Sequence, residues 1–153
     1  MSYSPILAPV VALVAWSLVM MLWVYFTRMP AMKRVGIDLS SARRGGRGVN
    51  LEGVVPDEVM WKSHNYTHLM EQPTLFYAIA ITLALMGFGD GINLWLAWTY
   101  VGLRVVHSLV QATVNVVRYR FILFALASFC LIGLTVHAAA RIIHDCLAHG
   151  AIG

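Results

Sequence analysis

Long uncharged stretches, rather than strict alternation, set the pattern of this chain. Pro5 to Thr27 carries no charge, and neither do Gln72 to Gly89, Gly91 to Leu103 or Phe121 to Ala140. A hydrocarbon core of roughly 30 Å is crossed by about 20 helical residues at about 1.5 Å rise each. Each stretch borders residues that lengthen it into a full span. The pattern therefore predicts four transmembrane helices, about 5–27, 60–88, 91–117 and 120–142, in one all-α domain over 1–153. The first is read as a retained helix and not as a signal peptide. No Lys or Arg precedes it, it outruns an h-region, and no small-x-small cleavage site follows it.

Composition agrees with that pattern. Hydrophobic residues make up 59% of the chain and charged residues 12%, too little polar surface to cover a soluble domain. Two cysteines, Cys130 and Cys146, do not make a disulfide framework. The net charge of +4 comes from residues bordering the spans, which points to anionic lipid headgroups and not to nucleic acid. Arg28, Lys33, Arg34, Arg43, Arg44 and Arg47 lie in the first loop, about 28–59, with Gly36, Ser40, Ser41, Gly45, Gly46 and Gly48 interleaved. The turn Gly87 to Gly91 holds no cation, while Arg118 and Arg120 mark the next one. The positive-inside rule then puts the first and third loops in the cytoplasm and both termini outside.

Two predicted helices carry ionisable groups at membrane depth, where they are costly and tend to face a bundle interior or a cavity. His64, His68 and Glu71 step by four and three along the second. Pro73 should bend that helix by removing a backbone donor. Tyr100, Arg104, His107, Gln111, Asn115 and Arg118 step likewise along the third. Both stripes fall at the cytoplasmic ends and can face one another around one polar pocket. Three readings follow. Glu71 pairs with Arg104 and the rest tie the helices together. His64, His68 and Glu71 bind a metal or haem, with His107 or His137 as a further ligand. Or Arg104, Arg118 and Arg120 hold an anionic cofactor through bidentate pairs.

The run Asn65-Tyr66-Thr67-His68-Leu69-Met70-Glu71-Gln72-Pro73-Thr74-Leu75-Phe76-Tyr77 resembles the Asn-x-x-Asn-Leu-x-Glu-x-Pro-x-Leu-Phe-Tyr pattern of one family's bacterial members. That family is the membrane-associated proteins in eicosanoid and glutathione metabolism (MAPEG). Arg104-Val105-Val106-His107, with Arg120 thirteen residues on, is similar to its helix-three Arg-x-x-His and its helix-four arginine. The resemblance covers nearly the whole chain. It implies a homotrimer in the cell inner membrane, with glutathione held between subunits and a lipophilic small-molecule substrate. On this resemblance Arg120 stabilises the glutathione thiolate and Asn65, His68, Glu71 and Arg104 position glutathione. His68 or His107 moves a proton. The sequence also departs from the family. His68 replaces an Asn, His64 and Thr67 stand at positions of carboxylate-gripping arginines, and Gln111 and Phe124 stand at tyrosine positions. The function expected is thiol-dependent conjugation or peroxide reduction. The alternative is a non-catalytic membrane subunit or lipid-binding scaffold of the same fold.

Overall fold

The computed structural model describes residues 3–37 and 45–150, with residues 149 and 150 described in backbone only. Ser40, Ser41, Arg43 and Arg44 of the basic loop lie outside the described residues. The chain is all-α, and no strand occurs among the described residues. Helix α1 is Leu7–Arg34, α2 Asp57–Leu69, α3 Gln72–Leu85, α4 Gly91–Thr113 and α5 Val117–Gly150. Two of them, α1 and α5, are long and apolar enough to cross a membrane.

Burial is inverted relative to a soluble protein. Val11, Leu18, Leu22 and Phe26 of α1 and Phe121, Phe129, Ile132 and Val136 of α5 point outward, while Asn65, Arg104, His107, Ser108 and Gln111 are buried. Water would penalise that arrangement and hydrocarbon favours it, because a lipid-facing polar group has no partner there.

α1 buries one stripe, Pro9, Leu13, Ser17, Met20 and Val24, at spacings of three and four, and Ala31 two turns further on. It runs past Thr27, where the uncharged stretch ends, because charge does not stop a helix. Lys33 and Arg34 occupy its last turn, where cations complement the negative end of the helix dipole. The stop comes at Gly36, whose φ of 74° suits glycine, and the Ile37 N–H bonds back to the Met32 carbonyl at 3.0 Å. Leu51, Val55 and Met60 then pack against Ala31 and Met32, which fastens the second half of the loop onto the end of α1.

α4 and α5 form the most closely paired hairpin of the bundle. Small residues allow the approach: Ala97, Ala127 and Ala138 are buried in the main core, and a Cβ on Gly133 would lie 3.3 Å from Leu96 Cδ1. Phe76 of α3 stacks on Tyr100 of α4 with ring centroids 4.5 Å apart. Polar ties complete the packing. Asn65 donates to Ser108 Oγ at 2.6 Å and so joins α2 to α4. Gln72 donates to Ser128 Oγ at 2.8 Å and so joins α3 to α5.

Candidate functional site

Two local breaks build the site, and each has a cause in the sequence. The stretch expected as one helix from 60 to 88 is divided at Met70 and Glu71. Pro73 has no N–H for the Leu69 carbonyl, so the ladder cannot continue through it. Glu71 sits at φ −91° and ψ −94° as the chain turns into α3. The break exposes the His68 carbonyl to outside donors. The Arg104 Nη2 donates to it at 3.0 Å, with the Glu71 N–H at 3.4 Å.

The second break ends α4 at Thr113, short of the expected 117. Asn115 takes a left-handed φ of 52°, and its N–H bonds to the Val110 carbonyl at 2.7 Å. Asn is among the few residues besides glycine that tolerate this conformation. Its side-chain Oδ1 accepts a hydrogen bond from Arg120 Nη1 at 2.8 Å. The residue that reverses the chain therefore also fixes the arginine at the start of α5.

Between these breaks lies a cavity of about 240 Å³, lined by His68, His107, Val117, Arg120, Phe121 and Phe124. The His68 ring lies 5.0 Å from that of His107 and 5.4 Å from that of Phe124. Arg104 is fully buried behind His68, its guanidinium carbon 6.0 Å from the Phe124 ring centre. His68 is committed on both nitrogens. Nδ1 lies 3.0 Å from Glu71 Oε2 and Nε2 lies 3.4 Å from Arg104 Nη1. A carboxylate at Nδ1 favours the proton there, leaving Nε2 to accept from the guanidinium. His107 is buried and makes ring contacts, with no hydrogen-bond partner among the described residues. The Nε of Arg120 is likewise buried and unpartnered.

The sequence-predicted residues thus divide. His68, His107 and Arg120 share the cavity, and Arg104 stands one layer behind it. Glu71 turns outward, its side chain 62% exposed, and pairs with His68 rather than with Arg104. Asn65 is spent on Ser108, although its Oδ1 stays unpartnered. His64, one turn before His68 on α2, pairs with Glu52 of the preceding loop at 3.0 Å and does not line the cavity. His137 bonds to Asn93 at 2.7 Å, and no three His, Cys, Asp or Glu side chains converge among the described residues. Arg118 is exposed, because α4 has ended before it and the helical register is lost.

Sequence reasoning missed the Gln72–Ser128 tie and the wall residues Val117 and Phe121. A polar residue in each of two uncharged stretches, Gln72 and Ser128, was the available signal for the tie.

Asn115 can be dissected by two substitutions. Asn115→Gly keeps the left-handed turn and frees Arg120, whereas Asn115→Ala does both harms and should be less stable by about 1 kcal/mol. Thermal unfolding in detergent should separate the two variants, while any activity that depends on Arg120 should fall equally in both.

Outward apolar flanks around a buried polar cluster define a helical membrane protein. The chain belongs to the MAPEG family, whose model matches residues 6–140. Membership brings a membrane protein of glutathione-related transferase or peroxidase type, or a non-catalytic relative. No curated protein and no solved structure matches the chain.

Proposed function

We propose that this protein is a membrane-bound, glutathione-dependent transferase or peroxidase acting on lipophilic substrates. It works as a homotrimer in the cell inner membrane, with the basic loop in the cytoplasm and both termini outside. The observation that carries the reading is Arg120, a guanidinium held by Asn115 at the wall of the cavity that His68 and His107 share. A fixed guanidinium there offers an anion a charge-assisted partner.

When bound, glutathione supplies a thiol sulfur as the nucleophile. The Arg120 guanidinium favours the anionic form of a sulfur beside it. His107, facing the same cavity with uncommitted ring nitrogens, accepts a hydrogen bond from the thiol and orients it, and the proton leaves to solvent as the sulfur ionises. His68 positions: held by Glu71 and Arg104, it forms a fixed wall between the cavity and the interior. Val117, Phe121 and Phe124 supply the apolar side against which a lipophilic electrophile rests.

One observation favours a scaffold instead. His64, at the place of a family arginine, is tied to Glu52 and does not line the cavity. Turnover decides between the two. The purified protein should consume glutathione in the presence of a lipophilic electrophile, and His107→Gln should slow this by no more than about 30-fold, the most that completing thiol ionisation can give at neutral pH. A wild-type rate equal to the uncatalysed reaction supports the scaffold.

A further inference from the structure

One ammonium is the meeting point of three helices. Lys62 of α2 donates from Nζ to the Glu58 carbonyl of its own helix at 2.7 Å and across to the Ala112 carbonyl of α4 at 3.3 Å. The same ammonium stands over the Trp23 ring of α1, 5.5 Å from its centre. Met20, Leu69 and Ala112, from the same three helices, form a small buried cluster there, with Trp23 packed against it. Lys62 does not line the Arg120 cavity.

The Ala112 carbonyl needs that donor. Inside a helix it would accept from the N–H four residues on, but α4 ends at Thr113 and the chain reverses at Asn115, before Val116. The N–H groups of Val114 and Asn115 both turn back to the Val110 carbonyl, at 3.1 and 2.7 Å. Ala112 is fully buried, so its carbonyl has lost the helical donor in a place where water is scarce. A cation at that point also meets the negative end of the α4 dipole. Lys62 supplies the donor and the charge together.

The turn capped in this way is the one that aims Arg120. Ala112 lies three residues before Asn115, whose left-handed φ of 52° reverses the chain and whose Oδ1 accepts from Arg120 Nη1 at 2.8 Å. On the far side of the turn the Arg120 N–H bonds to the Val116 carbonyl at 3.2 Å. The place of the guanidinium therefore depends on where α4 stops. We propose that Lys62 is a positioning residue for the Arg120 site, capping the C-terminal end of α4 and so fixing the Asn115 turn that holds the guanidinium at the cavity. The proposal rests on the proposed function for the reaction through which it is read. Without the lysine the last turn of α4 frays toward water and Asn115 moves with it. Because the effect passes through Arg120, it cannot exceed what Arg120 itself contributes. Arginine at this position keeps a charged donor, whereas methionine keeps only an apolar stem over Trp23.

Lys62→Met should lower the thiol-dependent rate at neutral pH by no more than the roughly 10- to 30-fold expected of Arg120→Ala, with a deficit that shrinks as pH rises. The double variant Lys62→Met/Arg120→Ala should be no slower than Arg120→Ala alone, and Lys62→Arg should recover part of the rate. A double variant slowed by the product of the two single losses overturns the proposal, since Lys62 would then act apart from Arg120. The Arg120 Nε–H resonance of the detergent-solubilised full chain, carrying isotope-labelled arginine, gives a readout that needs no turnover. Assigned by its absence in Arg120→Ala, it should move in Lys62→Met in the same direction as in Asn115→Gly and return toward the wild-type position in Lys62→Arg. Lys62→Gln serves the same purpose should Lys62→Met not fold. A resonance unmoved in a folded variant with a lowered unfolding midpoint makes the lysine a stabiliser of the bundle alone and overturns the proposal. The two readings fail separately. Absent thiol turnover with a moved resonance removes the proposed function, whereas Arg120-dependent turnover with an unmoved resonance removes the role of Lys62.

Discussion

Arg104→Ala should lower stability by about 2–4 kcal/mol, by the combined cost of a cavity and a deprived acceptor. Arg104 is fully buried, and its guanidinium meets the His68 carbonyl, the His68 ring and the face of Phe124. The His68 carbonyl is short of helical partners because the chain breaks before Pro73, so it keeps only the 3.4 Å contact from the Glu71 N–H when the arginine is cut away. The charge itself is not the stabilising element. Among the described residues no carboxylate pairs with Arg104 and its Nε is unpartnered, and desolvation works against it. Arg104→Met, which keeps most of the volume, should therefore be markedly less harmful than Arg104→Ala. Thermal unfolding in detergent reads both. Equal unfolding midpoints for Arg104→Ala and the wild type would mean that the α2–α3 break is held by other contacts.

Arg120→Ala should cost about 10- to 30-fold in thiol-dependent rate at neutral pH, and the deficit should shrink as pH rises. A free thiol with a pKa near 8.5 is only a few per cent ionised at pH 7, so a cation that makes ionisation nearly complete gains about 30-fold at most. Above about pH 9 the thiol ionises without help, and the variant should approach the wild type. A deficit constant across pH would assign Arg120 to binding alone. Arg120→Lys should recover part of the rate, since it restores charge without the planar fork that meets Asn115.

The residues explain what could be read early and what could not. Hydrophobic runs located α1 and α5, whose apolar length is a property of the chain alone. Pro73 announced a bend in the second predicted helix, since a missing N–H is local chemistry, and the chain there divides into two helices instead. The polar stripe of α4 was visible to Gln111 and then misled. Asn115 and Arg118 continued the spacing beyond the point where the helix stops, because an asparagine in a left-handed turn and an asparagine in a helix look alike in sequence. Pairings between distant segments carried no periodic signal. Spacing put His64 one turn from His68, where it stands, but gave no sign that Glu52 of the folded-back loop pairs with it. Glu71 was expected beside an arginine, and the turn that Pro73 imposes carried it outward to the near side of His68. The family resemblance supplied Arg120, and the structure supplied its support from Asn115 and its neighbours in the cavity.

Equilibrium binding of glutathione to the detergent-solubilised protein, with Arg120→Ala alongside, tests the central claim most directly. Saturable binding that weakens sharply in the variant is the expected result. An absence of binding by the folded wild-type protein at millimolar glutathione would contradict it and leave the family fold in the service of another ligand.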